Sequence, residues 1–106
     1  MSFQLGSAIL DACVLGLLSR EDTYGYVLTQ QVREIVDISE STLYPVLRRL
    51  QKNEYLETYD KAYQGRNRRY YKITELGIKK YKEYLVEWNE YKENVDKILL
   101  GGNKSE

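Results

Sequence analysis

The chain has 106 residues, 16 basic against 16 acidic, no histidine and a single cysteine. That length fits one domain, or a small domain with an appendage. An internal disulfide, a zinc cluster and a Cys–His nucleophile are excluded in cis, and no metal or cofactor is expected. In chain order, residues 8–19 place Leu10, Cys13, Val14, Leu17 and Leu18 on one helical face, with Ser7 positioned to cap it. Cys13, on that stripe, is expected to be buried and inert. A polar break, Arg20-Glu21-Asp22-Thr23, precedes a second helix over 24–36, with Gly25, Leu28, Val32 and Ile35 along its stripe. Gly25 costs helix propensity and is expected to admit a close neighbour.

A third helix is predicted from Ser39 or Ser41 to Lys52, with Leu43, Val46, Leu47 and Leu50 as its buried stripe. The opposite face holds Ser41, Pro45, Arg48 and Lys52, flanked by Tyr44 and Arg49. Proline is tolerated in a first helical turn, so the helix is expected to begin just before Pro45. Two strand-like runs, 55–60 and 69–73, then flank a basic tip, which predicts a hairpin with a long, mobile turn around Gly65. Thr74 caps a last helix, with Glu75 in its first turn. In that helix Tyr81, Trp88 and Val95 recur every seven residues, as do Tyr84, Tyr91 and Ile98, with Leu85 and Leu99 broadening the stripe. Such a seam calls for a partner helix. Gly101-Gly102-Asn103 ends it, and the last three residues are expected to fray. The fold class read from this order is mainly α with a small β-hairpin: a winged helix-turn-helix over 1–74 and a C-terminal dimerisation helix with a short tail over 75–106.

Charge is segregated along the chain. Between residues 48 and 72, eight basic residues minus three acidic ones leave +5, so the remainder carries −5. The basic segment can attract phosphate while the rest keeps the chain soluble, although a solvated face would read the same way. On the third helix Ser41, Thr42 and Tyr44 offer hydroxyls to a phosphate backbone. Arg48 can pair with guanine in a major groove. At the tip Arg66 and Arg68 alternate, as a wing over the minor groove or the backbone requires, whereas Arg69 and Lys72 also suit charged strand edges.

These residues carry a resemblance. Ser41-Thr42-Leu43-Tyr44-Pro45-Val46-Leu47-Arg48-Arg49-Leu50, then Gly65-Arg66-Asn67-Arg68-Arg69-Tyr70-Tyr71-Lys72-Ile73-Thr74-Glu75-Leu76-Gly77, with Gly25-Tyr26 before them, resemble the PadR family of bacterial transcriptional regulators over residues 8–78. The single last helix is similar to the short PadR subfamily. The resemblance implies a winged helix, a homodimer held by Tyr81, Tyr84, Leu85, Trp88, Tyr91, Val95 and Ile98, and repression at a pseudo-palindromic DNA operator. By position it implies DNA contacts from Ser41, Thr42, Tyr44, Arg48, Arg66 and Arg68. It also implies relief by a small aromatic or multidrug-like ligand. Trp88 reads equally as an interface anchor or as a stacking platform for such a ligand, with Leu10, Val14 and Cys13 facing the same space. The chain departs from the family pattern at Asn53-Glu54, where the family usually has an acidic residue and Gly, and this bears on the helix-to-strand turn.

Other classes find less support. No GxxxxGK or GxGxxG loop occurs and the acidic residues form no catalytic pair, so no enzyme is expected. A winged-helix adaptor without DNA contacts remains the alternative, but it has no need of Arg48, Arg66 and Arg68 together. No apolar run reaches the ~18 residues of a membrane span, and MSFQLGS lacks the basic start of a secretory signal, so cytoplasmic residence is expected.

Overall fold

Helix α1 (Leu5–Leu18) opens the computed structural model, which describes residues 5–101. It is followed by β1 (Thr23–Tyr24), α2 (Gly25–Ile35), α3 (Glu40–Lys52), β2 (Leu56–Tyr63), β3 (Arg66–Ile73) and α4 (Glu75–Leu99). The three strands form one antiparallel sheet in the order β1-β3-β2, so the fold is α+β, as expected. Among the described residues no helix is long and apolar enough to cross a membrane.

The core is built where α1, α2 and α3 meet the base of the sheet. Leu43, Val46, Leu47 and Leu50 of α3 are all buried, as the 3.6-residue period predicts. They meet Leu28 and Val32 of α2, Leu56 of β2, and Leu10, Val14, Leu15 and Leu18 of α1. Each fully buried leucine contributes roughly 1.5–3 kcal/mol of burial free energy. Two expected stripe positions fall elsewhere. Cys13 is only half-buried, because the face α1 turns to the core is centred on Val14 and Leu15. Ile35 is 81% exposed, because α2 stops at that residue and Thr29 takes the buried place one turn earlier. Ser7 lies within α1 rather than at its start, since the helix already includes Leu5.

Helix α3 starts at Glu40, with Ser39 as its cap; the Ser39 hydroxyl accepts from the Thr42 amide at 3.3 Å. Pro45 therefore lies in the second turn, not the first, where its missing N–H removes a helical bond on the exposed side. The C-terminus closes with two reversed bonds, Tyr55 N–H to Leu50 C=O at 2.9 Å and Glu54 N–H to Gln51 C=O at 2.9 Å. This Schellman closure needs a left-handed residue, and Glu54 adopts it with φ 66°. The turn thus keeps the shape a glycine would give it, despite the departure at Asn53-Glu54.

The hairpin is tighter than expected. Strands β2 and β3 pair in register from Leu56 opposite Ile73 to Tyr63 opposite Arg66, leaving only Gln64 and Gly65 to turn. Both have positive φ, 51° and 78°, the signature of a two-residue type I′ turn whose twist matches that of the strands. The expected long, mobile tip is therefore regular ribbon almost to its end. Strand β1 was not foreseen; Thr23 pairs with Tyr71 and Tyr24 with Tyr70, extending the sheet beyond the hairpin.

Thr74 caps α4, its hydroxyl accepting from the Gly77 amide at 2.9 Å while donating to the Glu54 carbonyl at 2.7 Å. A Cβ on Gly77 would stand 2.2 Å from the Tyr55 carbonyl oxygen, so only glycine lets α4 leave the sheet here. Gly25, by contrast, would meet Tyr71 at an ordinary 3.6 Å, so no tight approach explains it. The 25 residues of α4 rise about 37 Å. Its first half lies along α1, with the Tyr81 ring 3.2 Å from where a Cβ on Gly16 would be. Its second half carries Ile98 and Leu99 exposed, and Gly101 follows at φ 59°. The expected end at Gly102-Asn103 and the tail of the last three residues lie outside the described residues.

Candidate nucleic-acid interface

Four of the six expected contact residues share one surface. Ser41, Thr42, Tyr44 and Arg48 are all exposed on α3, on the side away from its buried leucines. Ser39 organises the start of this surface. Its Oγ lies 2.9 Å from the Ser41 hydroxyl and 3.0 Å from that of Thr42, so the three hydroxyls share one hydrogen-bonded cluster. The turn before it is pinned by Arg33, whose Nε donates to the Ile38 carbonyl at 3.2 Å and whose guanidinium lies 3.6 Å from Glu40. Sequence reading used Ser39 only as a helix start; the clustering of three hydroxyls follows from its cap geometry.

The wing separates its cations by face, because side chains alternate along a strand. Arg66, Arg68, Tyr70 and Lys72 share one face of β3; Asn67, Arg69, Tyr71 and Ile73 share the other. Ile73 and Tyr71 pack against the core, so the second face is the one turned toward the helices. Tyr71 is within electrostatic reach of Arg69, Tyr44 and Arg48, and its hydroxyl pKa is raised chiefly by burial. Arg69 thus lies on the face nearest the α3 surface, 3.5 Å from Asp60 across the ribbon. Arg66 is exposed on the outer face. Arg68 is not a free finger: its guanidinium lies 3.8 Å from the centre of the Tyr63 ring and 4.3 Å from that of Tyr24. Tyr59 stacks on Tyr70 at 5.4 Å on the same face, with Lys61 above Tyr70 at 5.5 Å, which accounts for four of the eleven tyrosines.

Arg49 is drawn away from this surface. Its Nη2 donates to Oδ1 of Asp11, whose other oxygen accepts from the Tyr84 hydroxyl at 3.0 Å. Burial raises the Asp11 carboxyl pKa above its ordinary value, opposed by the Tyr84 hydrogen bond and the Arg49 charge. The Tyr84 hydroxyl pKa is raised in turn, first by burial and then by the Asp11 charge. Nothing in the spacing pointed to this cluster.

Behind the interface, α1, α2 and α4 enclose an apolar groove of about 660 Å³. Trp88 lines it, with Tyr81, Tyr84 and Leu85 of α4, Cys13 and Leu17 of α1, and Ile35 and Val36 at the end of α2. Leu10 and Val14 do not, because they point into the winged-helix core, 7% and 0% exposed. Trp88 and Tyr91 rings lie 6.1 Å apart. Burial raises the Cys13 thiol pKa, which keeps it protonated and unreactive at neutral pH. Among the described residues no cluster of potential metal ligands occurs.

Known proteins share both the pattern and the fold. The description "Transcriptional regulator PadR-like family" belongs to the family model that matches residues 14–83. A Streptococcus mutans UA159 protein of known crystal structure is 37% identical, with a TM-score of 0.87 and 100% of each chain covered. A PadR-like transcriptional regulator from Bacillus cereus is 32% identical over 92% of this chain and 97% of its own, with a TM-score of 0.81. Bacillus subtilis PadR, solved in complex with operator DNA, shares the fold at 20% identity and a TM-score of 0.66, over 74% of this chain and 47% of that one. With a family match spanning most of the winged helix and relatives aligned nearly end to end, the chain is a member of the PadR-like family of transcriptional regulators and not an enzyme.

Proposed function

We propose that the protein is a homodimeric repressor that binds a pseudo-palindromic operator in double-stranded DNA. The observation that carries this reading is the exposed Ser41, Thr42, Tyr44 and Arg48 surface of α3 beside a cationic ribbon. The operator complex of Bacillus subtilis PadR supports the same use of this fold. In the proposed mode α3 enters a major groove, its hydroxyls and N-terminal amides meet phosphates, and Arg48 reads a base edge. Arg66 and Arg68 extend the contact to the flanking backbone, and Arg69 is added as a further phosphate contact. Dimerisation uses the α4 seam, where Leu85 is 41% and Ile98 82% exposed, an apolar stripe at heptad spacing that a second helix would bury. A two-fold dimer then requires half-sites about 34 Å apart or a multiple of it.

Relief of repression is assigned to a planar aromatic ligand in the groove beside Trp88, which is apolar and wide enough for one. Such a ligand acts only if it binds one arrangement of the two reading heads better than another.

Titration of the protein against the promoter fragment of its own gene, at several salt concentrations, tests the central reading. With three phosphates neutralised per protomer, the log–log slope should be about −5. Affinity indifferent to salt sinks the proposal. For the ligand, Trp88 is the single tryptophan, so its fluorescence reports the groove directly. A broad panel of aromatic compounds without quenching removes the Trp88 site.

A further inference from the structure

We infer that Asp11 is a positioning residue that couples α4 to the DNA-reading helix α3 through Tyr84 and Arg49. The inference rests on the DNA-binding reading above.

Asp11 stands on α1, between the two other helices. One carboxylate oxygen receives Arg49 of α3; the other receives the Tyr84 hydroxyl of α4 at 3.0 Å. Among the described residues Asp11 is the one buried charged side chain, at 7% exposure, in a core otherwise made of leucine, valine and threonine. A buried ion pair is a poor source of stability, since apolar side chains of the same volume generally do as well. What it supplies is direction, because both oxygens must stay aligned with their donors. Arg49 follows Arg48 on α3, about 100° further round the helix axis. The grip on Arg49 therefore sets the rotation of α3, and with it the aim of Arg48 and Tyr44.

The other end of the cluster opens on the groove. Tyr84 lines it, one helical turn before Trp88. Whatever enters the groove, or shifts α4, displaces the Tyr84 hydroxyl from Asp11 and leaves that oxygen unsatisfied unless Arg49 moves as well. A path thus runs from groove to reading surface inside one protomer, in addition to any change in the spacing between protomers.

Tyr84→Phe is the clean test, because it keeps the ring in the groove and lies on α4, away from the reading surface. It is compared with Asp11→Asn and with the double variant, all as full chains, by fluorescence anisotropy on the promoter fragment. The expected result is a loss of about fivefold or more in DNA affinity for Tyr84→Phe, at the low end of couplings between sites. The salt slope should not change, since no phosphate contact is removed. The double variant should lose no more than Asp11→Asn alone, because both act through one link. Binding by Tyr84→Phe within twofold of wild type, or losses that simply multiply, overturns the inference and leaves the DNA reading standing. A wild type that does not bind the fragment brings down both. If Asp11→Asn does not fold, amide shifts in Tyr84→Phe decide: changes at Tyr44 through Arg48 support the link, and an unmoved α3 overturns it.

Discussion

The Arg68 guanidinium lies over the Tyr63 ring at 3.8 Å, one strand across and close to the type I′ turn. With Tyr24 below it at 4.3 Å, it is held by both neighbouring strands of the sheet. A cation so placed is attracted by the ring faces by roughly 0.5–2 kcal/mol and loses little freedom on meeting a phosphate. Tyr63→Leu should therefore weaken DNA binding severalfold without changing the salt slope. Arg68→Ala removes the charge itself and should make the slope shallower by about 0.9. Equal slopes for the two variants would show that Arg68 meets no phosphate.

Glu54 carries the left-handed turn after α3 at φ 66°. A side chain in that region costs roughly 1–2 kcal/mol, which glycine does not incur. Glu54→Gly should raise stability by about 1 kcal/mol, seen as a Tm higher by about 4–8 °C. A Tm at or below that of the wild type would mean that the Glu54 side chain contributes something that offsets its strain.

Gly77 behaves in the opposite way. A methyl there meets the Tyr55 carbonyl oxygen at 2.2 Å and Ile73 Cγ1 at 2.8 Å, one of them backbone that cannot step aside. Gly77→Ala should cost about 3 kcal/mol, from overpacking at the junction of sheet and α4. Urea denaturation followed by circular dichroism measures it, and a midpoint near that of the wild type would show that α4 leaves the sheet differently.

Asp11 should leave a pH signature. Its folded pKa is raised, first by burial, against the lowering effects of the Tyr84 hydrogen bond and of Arg49 and Lys80. A raised folded value means that folding favours the protonated form. The stability of the wild type relative to Asp11→Asn should then be greatest below the usual carboxylate range and decline as pH rises through the raised value. Urea midpoints of both proteins across that range, at constant salt, check the sign; a difference that grows with pH contradicts it.

How much of this was legible depended on whether one local rule decided the matter. Helix α3 could be read because its four apolar residues recur at 3.6-residue spacing between polar ones, leaving a single way to bury them. The Thr74 cap was equally local. The chemistry of the α3 surface could be read for the same reason: once the buried stripe is known, Ser41, Tyr44 and Arg48 have nowhere else to point. Helix α1 resisted, since 8–19 is apolar nearly all round. Periodicity could not tell that Val14 and Leu15 face the core while Cys13 borders the groove, and so Leu10 and Val14 were placed beside Trp88. Strand β1 is two residues long, too short for any alternation to register. The tight hairpin was hidden because Gln64, not a usual residue at positive φ, shares the turn with Gly65.

From the sequence alone came the winged helix, the segregation of charge into 48–72, and the family. All of these rest on neighbours within a few residues or on motifs that survive without coordinates. Tertiary structure decided which cations are free and which are committed, because that depends on partners far along the chain. Arg49 meets Asp11 from 38 residues away, and Tyr84 reaches the same carboxylate across 73. Arg68 is gripped by rings on two other strands, one of them the unforeseen β1. A charge count sees three equivalent arginines at 48, 49 and 68; packing makes one a reader, one a tether and one a braced arm.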